Sequence, residues 1–199
     1  MKPLPSLKWL VRLGTIYGLT AVAWSLAGFF SPVSPLGLHE YSVSSFAVEI
    51  GGHMLWGLIA ALPTLDPALI LLVVGESVLI DADHILSVAG LPVEPRLAHS
   101  FTFALFIAFT LAYVGKRGAT FDRGIFWSTL GAIAGHFSYD IFAGYGLFPI
   151  FAPFYNTYIA LPFYAWPLLE GLALVLCLLT WFPKRGRQGP ALPSGPPQS

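Results

Sequence analysis

The chain of 199 residues has few charged side chains and almost no cysteine. Charged residues make up 10% of it, against about 25% in a typical soluble domain. Because a soluble protein of this size needs a charged exterior, the composition excludes a soluble globular enzyme. The single cysteine, Cys177, cannot form a disulfide within the chain, so the redox compartment stays open.

Two further function classes lack support in the sequence. Ten Lys+Arg residues balance ten Asp+Glu residues, so binding of nucleic acid through bulk positive charge is excluded and no nucleic-acid partner is predicted. The chain also lacks a glycine-rich phosphate loop and a G-x-S-x-G turn. Nucleotide-binding and serine-hydrolase functions therefore have no motif here.

Long apolar runs dominate the chain, 56% of which is hydrophobic, with a mean hydropathy of +0.72. A membrane-spanning helix needs about 20 mostly apolar residues. Six runs meet this need, at about 9–30, 42–62, 67–89, 98–115, 124–144 and 161–182. We predict an all-α fold, a polytopic transmembrane helical bundle of about six spans in the cell membrane, forming one domain over residues 1–183.

Two segments do not fit this pattern. Residues 147–160 are interrupted by Pro149 and Pro153 and are predicted to form a hairpin or half-helix in the membrane interface. Residues 184–199 are rich in proline, glycine and serine and are predicted to be a disordered cytoplasmic tail.

The distribution of basic residues predicts the orientation of the spans. Nine lie on one side of six crossings: Lys2, Lys8, Arg12, Lys116, Arg117, Arg123, Lys184, Arg185 and Arg187. Arg96 alone lies on the other. Since cytoplasmic loops carry the excess of Lys and Arg, both termini are predicted to be cytoplasmic. Residues 21–23 (AVA) resemble a signal-peptide cleavage site, but the apolar run continues to Phe30, which favours a span.

Ionisable residues inside the predicted spans are the candidates for function. They are Glu49, His53, Glu76, Asp81, Asp83, His84, His99, His136, Asp140 and Glu170. Each costs about 2.5–3.5 kcal/mol at the membrane centre and is therefore a functional-site hypothesis. For Glu76 or Glu170 alone, an inter-helix hydrogen bond or a neutral buried acid is an equal alternative.

Three pairs have the spacing that places two side chains on one helical face: Glu49 with His53, Asp81 with His84, and His136 with Asp140. In the predicted orientation all three pairs lie in the outer half of the membrane, as does His99 at the start of the fourth span. Asp83 points elsewhere unless the last turn of its helix opens. Polar residues with only structural roles would be scattered along the helices and would not be expected to lie at the same depth in the membrane.

These residue types suit a transition metal. Neutral imidazole and carboxylate bind Zn²⁺, Mn²⁺ or Fe²⁺, and no second thiolate is available. One or two ions are expected, with Zn²⁺ first and Mn²⁺ or Fe²⁺ as alternatives. A metal lowers the pKa of water towards 7 and polarises a phosphoryl or acyl oxygen. Ser100 and Ser138 are interpreted as helix-packing groups, or as groups that hold the ligands in place, rather than as nucleophiles.

Three blocks of sequence resemble a known family. Residues 81–84 (DADH), 98–100 (AHS) and 135–140 (GHFSYD) resemble the D-x-D-H, T-H-S and S-H-x-x-x-D blocks of multi-pass membrane-bound metal-dependent hydrolases, described as LexA-binding and inner-membrane-associated. His53 and the aromatic stretch 148–154 also fit, so the resemblance covers about residues 45–160. It implies an all-helical membrane fold with a His/Asp metal centre and hydrolase activity.

One position departs from that family. Its H-R-G-x-T-H-S block has a histidine five residues before the T-H-S histidine, where this chain has Glu94, followed by Pro95 and Arg96. Glu94 either replaces the histidine as a ligand or is a loop charge paired with Arg96.

The first hypothesis is a membrane-embedded metal hydrolase whose site near the outer leaflet takes a lipid or lipid-linked phosphate ester or amide. The expected metal ligands are His53, His84, His99, His136 and Asp140, with Asp83 as a bridging or supporting carboxylate. Glu49 or Asp81 would be the general base. A metal-ion or proton transporter that uses Glu76 and Glu170 is the first alternative, and a scaffold with a structural metal is the second. Few polar groups in the cytoplasmic half favour the hydrolase over the transporter.

Overall fold

The computed structural model describes residues 6–27, 43–88, 96–116, 121–155 and 157–182. These residues are mostly helical, which confirms the helical class. The α-helices are α1 (Leu7–Leu26), α2 (Val43–Ala61), α3 (Pro67–Leu79), α4 (His84–Val88), α5 (Phe101–Val114), α6 (Arg123–Ala143) and α7 (Trp166–Leu178). Short 3₁₀ turns cover Leu62–Thr64, Ile80–Asp83, Phe163–Ala165 and Leu179–Trp181. The predicted tail 184–199 and Glu94 lie outside the described residues.

The segment predicted as a hairpin or half-helix contains a small antiparallel hairpin. Strand β1 (Leu147–Phe148) pairs with β2 (Ile159–Ala160), with Leu147 opposite Ala160 and Phe148 opposite Ile159. A cis peptide bond precedes Pro153 within it. The backbone oxygen of Ile150 accepts a hydrogen bond from the Phe101 amide at 2.8 Å, so the hairpin rests on the start of α5.

Side-chain caps fix where the helices begin. Asp66 accepts a hydrogen bond from the Ala68 amide at 2.9 Å, with Pro67 in the first turn of α3. Asp122 caps α6 in the same way. Ser100 accepts from the Phe103 amide at 3.1 Å and starts α5. His99 therefore lies in the turn just before α5 rather than on the helix.

Helix α6 lies at the centre of the bundle and packs against α2, α3, α5 and α7. Its residues from Gly131 to Ile141 are all buried. Helix α1 crosses α3, α5 and the 3₁₀ turn at Ile80–Asp83. Small residues permit close approach: a Cβ on Gly131 would overlap the Cys177 sulfur. The residues that α6 carries inward are therefore enclosed by four neighbouring helices.

By length and apolarity, one helix in the described part of the chain, Phe163–Trp181, can cross a membrane. Helix α5 is apolar but shorter. The six predicted spans thus correspond to helices, but five of them do not meet that criterion. Ionisable residues are a visible reason: the run from α3 through the 3₁₀ turn carries Glu76, Asp81 and Asp83, and α6 carries Arg123, His136 and Asp140.

Candidate metal centre

The 3₁₀ turn Ile80–Asp83 aligns the first two residues of the site. A 3₁₀ helix has three residues per turn, so side chains three apart in sequence lie directly above one another. Asp81 Oδ1 accordingly lies 3.3 Å from His84 Nε2. Asp83 reaches the same ring less closely, with its Oδ1 3.7 Å from His84 Nε2.

The carboxylate of Asp81 lies among four imidazole rings. Its Oδ1 is 3.2 Å from His99 Nε2 and 3.6 Å from His136 Nε2, in addition to the contact with His84. Its Oδ2 is 3.2 Å from His53 Nε2. The four rings are buried, whereas the Asp81 side chain keeps 19% of its surface exposed. Asp81 therefore lies at the centre of the cluster, and its side chain also reaches the protein surface.

Asp140 supplies a second carboxylate from α6. Its Oδ1 is 3.6 Å from His53 Nε2, and its Oδ2 is 3.5 Å from His136 Nε2 and 3.7 Å from His99 Nε2. Oδ2 also forms an ion pair with the guanidinium of Arg96. Asp140 thus contacts three of the four imidazole nitrogens that Asp81 contacts.

Hydrogen bonding and stacking orient two of the rings. A carbonyl oxygen only accepts hydrogen bonds, so the 2.7 Å contact with Ser77 O requires His136 Nδ1 to carry the proton. The Nε2 lone pair then points into the cluster, as in metal sites where a carbonyl fixes the tautomer. The His53 ring stacks on His136 with 3.8 Å between centroids, and its other neighbour is the edge of Tyr139 at 4.6 Å. Gly52 allows this, since a Cβ there would overlap the Tyr139 ring.

Asp83 supports the cluster from behind. Ser25 Oγ donates a hydrogen bond to its Oδ2 at 2.9 Å, and the Ala98 amide donates to the same oxygen at 3.3 Å. Its carboxylate is 3.7 Å from both His84 Nε2 and His99 Nδ1. Asp83 therefore connects α1, the 3₁₀ turn and the turn before α5. Its carboxylate faces the rings of His84 and His99 from the side of α1.

The separations between these atoms fit the ligands of a metal ion. Two nitrogens bound to one ion at about 2.1 Å, at angles of about 90–109°, lie about 2.9–3.4 Å apart. His99 Nε2 and His136 Nε2 are 2.9 Å apart. The ligand atoms form two groups, each within 4.8 Å: Asp81, Asp83, His84 and His99, and then His53, His136 and Asp140. The described structure can therefore hold a metal ion.

The charge of the cluster also favours a cation. With neutral histidines, the carboxylates of Asp81, Asp83 and Asp140 face the single guanidinium of Arg96, which leaves a formal charge of −2. Buried charge of this kind is costly unless it is compensated. One buried oxygen of Asp83 has no hydrogen-bond partner among the described residues. A divalent cation would neutralise the cluster.

Not every residue singled out in the sequence belongs to it. Glu49 lies half-buried on α2 beside Tyr139 and Tyr145, in neither group of ligands. Partial burial, and then a hydrogen bond with Glu49, raises the pKa of the Tyr145 phenol, so Tyr145 stays a donor. Glu76 and Glu170 also lie outside both groups, and Glu76 accepts a hydrogen bond from Thr129 at 3.1 Å.

The two serines are engaged in packing contacts. Ser100 caps α5. Ser138 accepts a hydrogen bond from Trp56 Nε1 at 3.2 Å and donates one to Trp166 O at 2.9 Å. These contacts agree with their interpretation as helix-packing groups.

Arg96 is the site residue that the sequence analysis missed. Its φ of 79° lies in the left-handed region. For a residue with a Cβ, this backbone conformation has a free energy about 1–2 kcal/mol higher than the right-handed one. A signal for it was available, because Arg96 is the one basic residue on the predicted outer side and stands where the resembled family has glycine. Its backbone oxygen accepts a hydrogen bond from the His99 amide at 2.8 Å, so this turn also positions a ring of the cluster.

Comparison with known proteins gives one match. The model of the YdjM inner membrane protein family matches residues 49–192, a range that includes every residue of the two ligand groups. No curated protein and no solved structure matches the chain. The match covers well over half of the 199 residues, so the chain belongs to the YdjM inner membrane protein family, a family of membrane proteins.

Proposed function

We propose that the protein is a multi-pass, membrane-embedded, metal-dependent hydrolase that acts on a lipid or lipid-linked substrate. One observation carries the proposal: four imidazole Nε2 atoms surround the Asp81 carboxylate within 3.6 Å, with Asp140 beside them. Clusters of buried histidine and carboxylate are unusual inside an apolar bundle unless they bind a metal or perform chemistry.

The metal ligands in this proposal are His53, His84, His99, His136 and Asp140, with the Asp81 carboxylate at the centre of the four rings. Zn²⁺ is the expected ion, because imidazole and carboxylate ligands suit it. When bound, the ion would polarise a substrate oxygen and make water a better nucleophile near neutral pH. Asp83 would hold His84 and His99 in place.

Asp81 is the better placed of the two candidates for general base. A base must lie one hydrogen bond from the water that it deprotonates. Asp81 is the most exposed member of the two ligand groups, so water entering from outside meets its carboxylate. Glu49 lies on the side of Tyr139 and Tyr145, and it would act only on a substrate that reaches that side.

The proposed topology keeps six spans with both termini in the cytoplasm. Helices α1, α2 and α6 contain 20, 19 and 21 residues, so each is about 30 Å long, the thickness of the hydrocarbon core. Large apolar side chains cover the outside of the bundle, among them Leu19, Leu55, Leu71, Phe109, Leu168 and Val175. Lipid is the solvent that suits such an exterior.

The direction of the helices supports the orientation. On α1 and α6, Arg12 and Arg123 lie 13 residues from Ser25 and His136, or about 20 Å along the helix axis. Lys116, just after α5, lies 17 residues from His99, or about 25 Å. Trp9 Nε1 donates to Gly115 O at 3.1 Å, which joins the start of α1 to the end of α5. Basic residues at one end of the bundle and the cluster at the other fit a cytoplasmic end and an outer site.

A transporter remains the second candidate because of Glu170. Its carboxylate on α7 is buried, and neither oxygen has a hydrogen-bond partner among the described residues. Together with Glu76 it would extend a path from the cluster into the bundle. A scaffold with a structural metal is the third candidate, and it predicts metal without turnover or flux.

Turnover and flux separate these functions. The wild-type protein and the variants Asp81→Asn and Glu170→Gln are assayed for cleavage of a panel of lipid phosphates and lipid amides, and in liposomes for metal and proton flux. The hydrolase predicts cleavage that Asp81→Asn abolishes and Glu170→Gln leaves nearly unchanged. Flux that Glu170→Gln abolishes, with no substrate cleaved, would replace the hydrolase by the transporter.

A further inference from the structure

Arg96 lies at the edge of the cluster in a backbone conformation that favours glycine. Its φ is 79°, and non-glycine residues keep such conformations where the surrounding structure holds them, often at functional sites. Its guanidinium pairs with Asp140 Oδ2, an oxygen that also faces His99 and His136. The Arg96 side chain is therefore in direct contact with a proposed metal ligand.

Two aromatic rings hold the guanidinium at that point. Its central carbon lies 5.2 Å from the centre of the Phe148 ring and 5.8 Å from that of Tyr145, within the range of cation–π contacts. Phe148 belongs to the hairpin and is fully buried. The Arg96 side chain is 12% exposed, so it is fixed in place and still reaches the surface.

Arg96 differs from the other basic side chains of the described residues. Lys8, Arg12, Lys116 and Arg123 lie near the ends of α1, α5 and α6 that are remote from the cluster. A single guanidinium is thus placed where the carboxylates and imidazoles meet.

The placement has a consequence for the substrate. Without metal, the excess of carboxylate charge repels anions. Once a divalent cation binds, the cluster is formally neutral, and the N–H groups of the adjacent guanidinium can bind a further anion. The planar fork of arginine matches the paired oxygens of a phosphate group. A neutral amide would gain nothing from this charge.

We propose that Arg96 is a substrate-binding residue and that the group it binds is a phosphate, so that the substrate class is a phosphate ester. This inference rests on the proposed metal centre. In the reaction, the oxygen of water forms a bond to phosphorus and the bond from phosphorus to the alcohol oxygen breaks. One proton of the water passes to the departing alcohol, and the phosphate keeps the rest of the water.

The test measures phosphate binding and metal content in the same preparations. Full-length wild type, Arg96→Gln, Arg96→Lys and the control Arg123→Gln are loaded with Zn²⁺ in detergent and titrated with inorganic phosphate, and separately with a short-chain phosphatidic acid. Arg123 is an exposed arginine at the far end of α6, so its loss changes the net charge equally.

We expect unchanged metal content in all four proteins, a loss of at least tenfold in phosphate affinity for Arg96→Gln, a smaller loss for Arg96→Lys, and none for Arg123→Gln. Tighter binding of the phosphatidic acid assigns a lipid headgroup, and equal binding of both ligands assigns the phosphate group alone. Either result supports the anion site.

Two results overturn the inference while the metal centre stands. In one, Arg96→Gln binds phosphate as tightly as wild type. In the other, Arg96→Gln loses metal but keeps its phosphate affinity per bound ion, which makes Arg96 a positioning residue for Asp140. Absence of metal from the wild type instead overturns the proposed function, and the inference with it.

Discussion

Replacing His136 with alanine removes the most constrained imidazole of the cluster. Its Nε2 is 2.9 Å from His99 Nε2, its Nδ1 donates to Ser77 O at 2.7 Å, and its ring stacks on His53. The side chain is fully buried. Each of these contacts ends with the substitution, and Asp140 on the same helical face loses its neighbour at 3.5 Å.

Two magnitudes follow from these contacts. The cavity left by a large buried side chain lowers the free energy of unfolding by about 2–4 kcal/mol. Removal of a polar side chain from the bilayer lowers the insertion cost, which offsets part of that loss. Loss of a group that only orients a ligand weakens metal binding by about 10–100-fold, so loss of a ligand itself is expected to weaken it by at least that factor.

The assay is competition for Zn²⁺ against a chelator of known affinity, with thermal unfolding followed by circular dichroism on the same samples. Glu170→Gln is the control, since it changes a buried polar residue outside both ligand groups. We expect a folded His136→Ala protein with metal affinity at least tenfold lower, and an unchanged affinity for Glu170→Gln. If His136→Ala binds Zn²⁺ as tightly as wild type, the assignment of His136 as a ligand is refuted.

Three other predictions concern the support of the cluster, its charge and the topology. Asp83→Ala removes the carboxylate that faces His84 and His99, so chelator competition is expected to show metal affinity about 10–100-fold lower at unchanged stoichiometry; unchanged affinity would contradict the role of Asp83. Removal of metal by a chelator leaves the carboxylates uncompensated, so calorimetry is expected to show a lower Tm; an equal Tm would contradict a metal bound to the native state. In a Cys177→Ala background, an impermeant thiol reagent is expected to label Phe154→Cys from outside and Lys116→Cys only from the cytoplasmic side; the reverse pattern would invert the topology.

The spacing of residues within one helix is sufficient to predict part of the site. His136 and Asp140 share a face of α6, as expected from their separation by four residues, and their side chains are 3.5 Å apart. The same rule applied to Glu49 and His53 places both on one face of α2. The rule does not say how far the cluster extends along the axis of α2. Of these two residues, only His53 belongs to a ligand group.

The remaining features depend on contacts between distant segments. Arg96 and Asp140 are 44 residues apart, and no local pattern indicates that a turn before α5 returns to the end of α6. The 3₁₀ turn at Ile80–Asp83 lies in an apolar run that favours a continuous helix, yet it places Asp81 among four imidazole rings and Asp83 beside two of them. Propensity within a short window does not distinguish these two helix types.

The apolar runs of the sequence predicted correctly where helices form, but they were a weaker guide to which helices meet the criterion for a membrane span. Counting apolar runs treats each helix as exposed to lipid on all sides, whereas residues 131–141 of α6 are enclosed by other helices and include His136 and Asp140. Ionisable residues of membrane helices face the interior of the bundle, so a central helix can carry more of them than one in direct contact with lipid.

Metal content tests the central claim most directly. The protein is purified in mild detergent without chelators or added metal, and inductively coupled plasma mass spectrometry compares the wild type with Asp81→Ala/Asp140→Ala, which removes both carboxylates that face the rings. The account predicts one or two divalent transition-metal ions per wild-type chain and a large loss in the double variant. A folded wild-type protein with no stoichiometric metal, and with no uptake of added Zn²⁺, would contradict it.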